Sequence, residues 1–173
     1  AAPPPASSAD VSAPPSAEPS PRAPLAAAAG SYAERERART ALITAGSVLT
    51  KFNTGKGVFA KKKAQRRFVA ALPPTFLFWG DEKTRKMSSN LRLDDIIDVT
   101  VGHESPTLRK LGSAVAHPPH RCFSVHTGAR TLDFAVDDDA TLEAWVLGLA
   151  ALAGKRGIDE AWLQRRRQQL GAG

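Results

Sequence analysis

The sequence has little sulfur and few aromatic residues: one cysteine, one methionine and one tyrosine in 173 residues, with 6% aromatic residues in all. The single thiol of Cys122 cannot form an intramolecular disulfide, which predicts a reducing compartment and a cytoplasmic protein. The longest apolar run, from Ala144 to Gly154, is well short of the roughly 20 residues that span a bilayer. No secretory signal is visible. The sequence therefore predicts neither a disulfide-stabilised nor a membrane-spanning protein.

Residues 1–30 contain little besides Ala, Pro and Ser. Such a segment buries too little apolar surface to offset the entropy lost on ordering, so we expect a disordered leader. The chain does not begin with Met, and we interpret it as a fragment of a longer protein. The domain is expected to begin at residue 31.

Charge is divided unevenly along the chain. From Gly46 to Arg92 there are eleven Lys and Arg against two acidic residues, a net charge of +9. From Leu93 to Ala153 there are four against nine, a net charge of −5. Because the positive charge is concentrated on strand-like sequence, the pattern predicts a polyanion site on one face of a β-rich domain.

The residue patterns predict one helix followed by several short strands. Ser31-Tyr-Ala-Glu34 has the spacing of a capping box, which predicts a helix to Ala45, ended by Gly46. Short apolar or β-branched runs separated by turn residues then favour a small antiparallel sandwich or barrel. The predicted strands are Val48–Phe52, Arg67–Leu72, Thr75–Trp79, Ile96–Val101, Cys122–His126 and Thr131–Val136.

A second helix is predicted after the last strand. The acidic run Asp137–Asp139 suits a helix N-terminus, and Gly154 suits its end. An apolar stripe at helical spacing predicts that this helix covers an open end of the barrel; its members are Leu142, Trp145, Val146, Leu149 and Leu152. The domain is therefore expected to span residues 31–154. Residues 155–173 are predicted to be a basic tail, for which a further helix over Ile158–Leu170 is one alternative.

Several runs, in this order, resemble the pleckstrin-homology domain, most closely that of the delta class of phosphoinositide-specific phospholipase C. The resemblance covers about residues 41–153 and is carried by Asp95-Ile96, Val101-Gly102-His103, Arg121–Val125, Thr131–Phe134 and Trp145–Leu149. It implies a mainly β fold: a seven-stranded antiparallel barrel or sandwich capped by a C-terminal α-helix and preceded by a short N-terminal helix. It also implies a phosphoinositide-binding, membrane-targeting module.

Basic residues cluster around the first predicted turn. Lys51 ends the first predicted strand and Arg67 begins the second, so strands that face one another at these ends would bring the two cations together. Phosphate groups on an inositol ring need several cations that converge from different directions. The basic residues between them could form an auxiliary loop that attracts anionic lipid, or a solvated hairpin loop; they are Lys56, Lys61, Lys62, Lys63 and Arg66.

The resemblance also implies roles for individual residues. Lys51 and Arg67 match the family's contacts to the ring phosphates. Thr84, Arg85 and Lys86 match a Ser-Arg-Lys run that follows the third strand, and Thr131 matches a Thr at the start of the seventh. Asn53 is a departure, since the family has a second Lys there; the loss of that charge weakens the expectation of selectivity for the 4,5-bisphosphate.

Metal and catalytic alternatives are disfavoured by the same residues. His117, His120 and Cys122 lie close together in sequence, but they lack the paired spacings of structural zinc, and Arg121 adds a cation beside them. No nucleophile elbow, phosphate loop or paired-acid arrangement is present. We expect no metal, no cofactor and no enzymatic activity in this fragment, although its parent could be a phospholipase C.

Three classes of partner remain to be compared. The leading hypothesis is a peripheral membrane module that binds phosphoinositides on the anionic inner leaflet. The alternative is a protein-interaction scaffold, in which the basic stretch, with Arg165–Arg167, meets an acidic protein. Nucleic acid is disfavoured, because the strands offer no aromatic platform for bases and the acidic half would repel a long polyanion.

Overall fold

A computed structural model describes residues 30–53 and 64–171 of the chain. Its main element is a seven-stranded antiparallel sheet with the order β4-β3-β2-β1-β7-β6-β5. The strands are β1 (Ser47–Phe52), β2 (Ala64–Leu72), β3 (Phe76–Asp81), β4 (Met87–Arg92), β5 (Ile96–Val101), β6 (Cys122–Thr127) and β7 (Thr131–Ala135). The inward-facing residues of both halves of the sheet belong to one apolar core, so the sheet curves around its own side chains as a barrel or sandwich does.

The N-terminal helix α1 (Tyr32–Ala45) begins and ends where the sequence predicts. The Ser31 backbone N–H donates to the Glu34 carboxylate at 2.6 Å, and the Glu34 N–H donates to the Ser31 hydroxyl at 3.3 Å, which completes the capping box. Gly46 ends the helix with φ +83°, and a Cβ there would lie 2.4 Å from the Phe68 ring. Both observations require glycine at this turn.

Helix α3 (Asp139–Leu152) covers one end of the sheet, as the apolar stripe predicts. Its first turn is capped by Asp138, whose carboxylate accepts from the Thr141 N–H at 2.7 Å. Trp145 is fully buried in the core. Gly148 allows close contact with α1, because a Cβ at this position would lie 2.8 Å from the Ile43 side chain.

Two elements of the domain are not predicted by the sequence patterns: β4 and the short helix α2 (Pro106–Leu111). β4 lies at an edge of the sheet and has a mostly polar sequence, so it lacks the apolar alternation of a half-buried strand. α2 packs on the outer face of the sheet and forms a second apolar cluster there. Its members are Phe52, Leu108, Leu111, Val115, Cys122 and Ala135.

The basic C-terminal segment contains helix α4 (Glu160–Gln169), which packs against the domain. Leu163 is 3% exposed. Arg166 donates to the Val101 carbonyl at 3.0 Å, and Arg167 pairs with Asp139. Two of the three guanidinium groups of Arg165–Arg167 are therefore engaged within the molecule.

Glu160 joins α4 to α1. Its carboxylate accepts from Arg39 at 2.5 Å and from Arg35 at 2.9 Å. These hydrogen bonds, that of Arg39 first, hold the pKa of Glu160 below its usual value. Within residues 30–53 and 64–171, none of the helices has the length and apolar character that crossing a membrane requires.

Candidate anion-binding site

The candidate site lies at the end of β1 farthest from α1. From Ser47 to Lys51 the strand advances about 13 Å, at roughly 3.3 Å per residue. The connections that follow Phe52, Asp81 and Thr127 all leave the sheet at this end, because neighbouring strands are antiparallel. The side chains on these strand ends therefore lie together at an end of the sheet that α3 does not cover.

Trp79 lies among the side chains at this end of the sheet. It is buried on the inward face of β3, beside Val69 in the register. The Lys51 ammonium lies 5.9 Å from the centroid of the indole ring, and the Arg130 guanidinium lies 5.1 Å from it. Both cations are thus within reach of the electron-rich face of one aromatic ring.

The strand register corrects the predicted pairing of Lys51 and Arg67. β2 begins at Ala64 rather than at Arg67, so Lys51 is opposite Gln65, and Arg67 is opposite Leu49. Because residues two apart on a strand share a face, Lys51 and Arg67 still point to the same inward side as diagonal neighbours. Such neighbours are typically about 7–8 Å apart, a separation that a multiply phosphorylated ring can bridge.

Lys51 is a buried cation, with 8% of its surface exposed. Its ammonium donates to the side-chain oxygen of Asn53. Burial lowers the pKa of Lys51; the Asp133 carboxylate acts in the opposite direction, and Arg130 and Arg67 lower the pKa further. Among the described residues, no carboxylate lies within ion-pairing distance of this ammonium.

Arg67 lies between the Gln65 amide and the Asp81 carboxylate, which already accepts hydrogen bonds from the turn that follows it. Its guanidinium donates to the Gln65 side-chain oxygen at 2.5 Å. The neighbouring residue across the sheet is Asp81. The Asp81 carboxylate accepts from the Thr84 N–H at 2.8 Å, the Thr84 hydroxyl at 2.9 Å and the Lys83 N–H at 3.1 Å. These hydrogen bonds, those of Thr84 first, lower the pKa of Asp81. Thr84 therefore stabilises the turn between β3 and β4.

The structure separates Arg85 from the two strand cations. Arg85 has φ +54°, and its guanidinium lies 4.9 Å from the centroid of the Phe68 ring. Phe68 directly follows Arg67 in β2, so it points to the opposite face of the sheet. Lys86 is exposed at the same end of the sheet, and its carbonyl accepts from the Asp81 N–H at 3.0 Å.

Thr131 is also placed away from Lys51. In β7 the inward-facing residues are Leu132 and Phe134, so Thr131 points outward. Its hydroxyl lies 3.4 Å from Nδ1 of His126, the residue opposite it in β6. Thr131 thus belongs to the outer surface of the sheet.

The auxiliary basic residues divide into one that is ion-paired and four whose positions are outside the described residues. Arg66 donates to Asp137 at 2.8 Å and lies 3.5 Å from the Glu82 carboxylate. The hydrogen bond to Asp137 is the main cause of its raised pKa. Lys56 and Lys61–Lys63 lie outside the described residues.

Arg130 is a site residue that the sequence patterns do not predict. It ends the turn between β6 and β7, where its N–H donates to the Thr127 hydroxyl at 3.0 Å. Its guanidinium donates to the Asn90 carbonyl at 2.9 Å and so links the β6–β7 turn to β4. The available signal was topological: in an antiparallel sheet with β7 beside β1, this turn must lie at the end that carries Lys51.

The sequence matches no protein-family model and no curated protein sequence. Among solved structures, the Inner Membrane Complex sub-compartment protein ISP1 of Toxoplasma gondii aligns with a TM-score of 0.52 and 14% identity, over 75% of this chain and 98% of that one. The N-terminal PH domain of human ARAP2 aligns with a TM-score of 0.43 and 19% identity, over 66% of this chain and 83% of that one. The described residues form the seven-stranded antiparallel sheet, the leading helix and the capping helix that the sequence resemblance implies. The chain has a pleckstrin-homology fold.

PLC21 of L. pealei also aligns with this pleckstrin-homology fold, with a TM-score of 0.48 and 13% identity. The alignment covers 65% of this chain and 16% of the PLC21 chain. The pleckstrin-homology fold that the sequence resemblance implies is confirmed by the sheet and its two helices. At these identities the comparisons define the architecture alone.

The histidines and the cysteine of the pleckstrin-homology fold do not converge. Within the described residues, no three His, Cys, Asp or Glu side chains are placed to hold a metal ion. His117 lies 3.5 Å from Asp137, and Cys122 is fully buried on β6. Burial raises the pKa of the Cys122 thiol to about 12. Cys122 is therefore a packing residue, because a thiol that stays protonated is a poor nucleophile and a poor ligand.

Proposed function

We propose that this domain binds the phosphorylated inositol headgroup of a phosphoinositide and thereby associates with anionic membrane surfaces. The observation that carries the proposal is the placement of Lys51, Arg67 and Arg130 around Trp79 at the uncovered end of the sheet. Two of these cations contact the ring of Trp79, and Lys51 is buried without a carboxylate partner among the described residues.

A buried ammonium that lacks a counterion favours an anionic ligand. Burial makes the charged form of Lys51 less stable, which is the main cause of its lowered pKa. A phosphate oxygen at this end of the sheet would supply negative charge, with charge-assisted hydrogen bonds from Lys51 and from the forked donors of Arg67. The present acceptors, Asn53 and Gln65, are neutral amides, so a phosphate can replace them at a gain in charge complementarity.

The surface at this end of the sheet also suits an anionic bilayer. Lys83 and Lys86 are exposed on the connection between β3 and β4. Each basic residue near a membrane surface contributes about 1 kcal/mol of attraction, which salt weakens. The alternative of an acidic protein partner has less support, because Arg166 and Arg167 are used in intramolecular contacts. If the parent is a phospholipase C, the domain would hold that enzyme on its substrate surface.

The proposal is tested by vesicle co-sedimentation at about 0.15 M salt. Vesicles with phosphatidylserine alone are compared with vesicles that also contain phosphatidylinositol 4,5-bisphosphate. We expect binding that requires the bisphosphate and that falls roughly tenfold or more in Arg67→Ala, since hydrogen bonds to charged groups contribute about 1.5–3 kcal/mol. Arg165→Ala is the control, because it removes the same charge from the exposed face of α4.

Equal binding of the wild type to both kinds of vesicle, together with unchanged binding of Arg67→Ala, would contradict a shaped site. An equal loss in Arg165→Ala would show that only net charge matters.

Asn53→Lys is expected to strengthen bisphosphate binding by roughly fivefold to tenfold. Asn53 accepts the hydrogen bond of the Lys51 ammonium, so a Lys there places a second ammonium beside the first, which costs stability until a phosphate is bound. The measurement is the same co-sedimentation series, together with a thermal unfolding curve of the free protein. Asn53→Gln, which retains an amide, should bind as the wild type does. Weaker binding by Asn53→Lys would show that the amide itself orients Lys51.

A further inference from the structure

The segment Arg85-Lys86-Met87-Ser88 places a serine at the start of β4, two and three residues after a pair of cations. The anion-binding site makes no use of this serine. Ser88 follows two basic residues and lies at a sheet edge, a combination that the other hydroxyl groups near the site lack.

Ser88 is exposed at an irregular point of an edge strand. In the register of β3 and β4, Gly80 is opposite Met87 and Trp79 is opposite Ser89, so Ser88 is left without a partner in a β-bulge. Among the described residues, β4 pairs with one strand, β3. The Ser88 hydroxyl makes a single contact within the described residues, at 3.5 Å to the Trp79 carbonyl. Its oxygen is therefore accessible and only weakly bound.

The residues before Ser88 can open at low cost. Beyond the pairing of Gly80 with Met87, the residues before Ser88 are connected to β3 by two backbone hydrogen bonds, from Asp81 N–H to the Lys86 carbonyl and from Arg85 N–H to the Asp81 carbonyl, both at 3.0 Å. Strand ends with few backbone hydrogen bonds and exposed side chains open locally far more often than the core. An extended conformation of residues 85–88 in an enzyme's groove is thus within reach of the folded domain.

We propose that Ser88 is an acceptor site for a Ser/Thr protein kinase of the class that selects basic residues before its target, and that phosphate on Ser88 releases the domain from anionic membranes. The Arg85 and Lys86 charges supply the pattern by which such kinases recognise substrates. In the reaction, the Ser88 oxygen forms a bond to the γ-phosphorus of Mg-ATP as the bond to the β,γ-bridging oxygen breaks. ADP leaves, and the hydroxyl proton passes to the kinase's catalytic carboxylate.

The second part of the inference, that phosphate on Ser88 releases the domain from anionic membranes, rests on the proposed function. Phosphoserine carries a charge of about −1.5 to −2 at neutral pH. The phosphate on Ser88 would lie beside the backbone carbonyl of Trp79, the residue whose ring lies near Lys51 and Arg130. Its negative charge at this end of the sheet would repel the anionic bilayer.

Thr40 provides a contrast within the same chain. Arginines lie five, three and one residues before it, at Arg35, Arg37 and Arg39. However, Thr40 is in the middle of α1, and both Arg35 and Arg39 are paired with Glu160. A similar basic pattern is therefore held in a helix, so we expect Thr40 to remain unmodified while the domain is folded.

The acceptor site is tested by incubating the full chain with Mg-ATP and the catalytic subunit of the cAMP-dependent protein kinase, with the modified residue located by tandem mass spectrometry. We expect one phosphate, on Ser88, that is absent from Ser88→Ala and retained in Ser89→Ala. Modification at Thr40 or elsewhere, with Ser88 unmodified, would overturn the inference.

The release is tested on the phosphorylated and unmodified proteins with the bisphosphate vesicles. We expect the phosphorylated protein to bind roughly tenfold or more weakly, and Ser88→Glu to bind more weakly than Ser88→Gln. Unchanged binding by a protein fully phosphorylated on Ser88 would overturn the release. If the unmodified protein does not bind these vesicles, the release falls with the proposed function, and mapped phosphate on Ser88 still establishes the acceptor site.

Discussion

Replacing Lys51 by Met is expected to remove most of the bisphosphate-dependent vesicle binding and to leave the free domain at least as stable as the wild type. Charge-assisted hydrogen bonds contribute about 1.5–3 kcal/mol, so the affinity should fall roughly 10-fold to 150-fold. The ammonium is buried, and burial is the main cause of its lowered pKa. An apolar side chain of similar length removes that cost, so ligand binding and stability are expected to change in opposite directions.

The sign of the pH effect at Lys51 follows from the same lowered pKa. Burial favours the neutral amine of Lys51, so the charged ammonium lowers the free energy of unfolding of the wild type. This loss of stability diminishes as pH rises through the pKa of the folded state towards that of the unfolded state. The difference in unfolding free energy between Lys51→Met and the wild type should therefore be larger at neutral pH than at alkaline pH.

Co-sedimentation and urea unfolding of the same Lys51→Met preparation provide the two measurements. Lys86→Met is the matched control: its ammonium is exposed, so we expect a smaller loss of binding and little change in stability. A Lys51→Met variant that loses both stability and binding would identify Lys51 as a structural residue of the sheet.

Trp145→Ala is expected to lower the free energy of unfolding by about 3–5 kcal/mol, the largest stability change of any substitution considered. The side chain is fully buried in α3, within the core that both halves of the sheet share. The indole N–H has no hydrogen-bond partner among the described residues. The unsatisfied donor costs stability, and part of the free energy gained by burying the Trp145 ring offsets that cost. Trp145→Phe removes that donor and should cost only about 1–2 kcal/mol.

Urea unfolding of both Trp145 variants gives the two free energies, with Trp162→Ala as the comparison. Trp162 is only partly buried on α4, and its truncation should cost less than that of Trp145. Equal losses for Trp145→Phe and Trp145→Ala would mean that the indole N–H has a partner in solution, such as a water molecule.

The sequence predicts the apolar elements of the fold well, because their patterns are set by the core they share. The capping box of α1 and the apolar stripe of α3 locate both helices, and six of the seven strands are recognisable from β-branched and aromatic runs. β4 was missed, since an edge strand with the sequence Met-Ser-Ser-Asn-Leu-Arg has no continuous apolar face. Secondary structure was therefore predictable wherever burial on the sheet determined the residue type.

The candidate site could be predicted only in part. Lys51 and Arg67 share a face, as the resemblance implies, but their register depends on where β2 begins, which short-range patterns do not give. Arg85 lies over Phe68 because its backbone is left-handed, a conformation that is unusual for arginine. Arg130 joins the site through the pairing of β1 with β7, a contact between residues distant in sequence.

Because Cys122 is buried, the folded protein has no native thiol that reacts readily with labelling reagents. The chain's single sulfhydryl is enclosed between the sheet and α2 and stays protonated at neutral pH. A cysteine introduced at an exposed turn position, such as Ala129, would be the only sulfur to react with a maleimide fluorophore. The fluorescence of that label would report whether the β6–β7 turn moves from water to a lipid surface when the protein is mixed with vesicles.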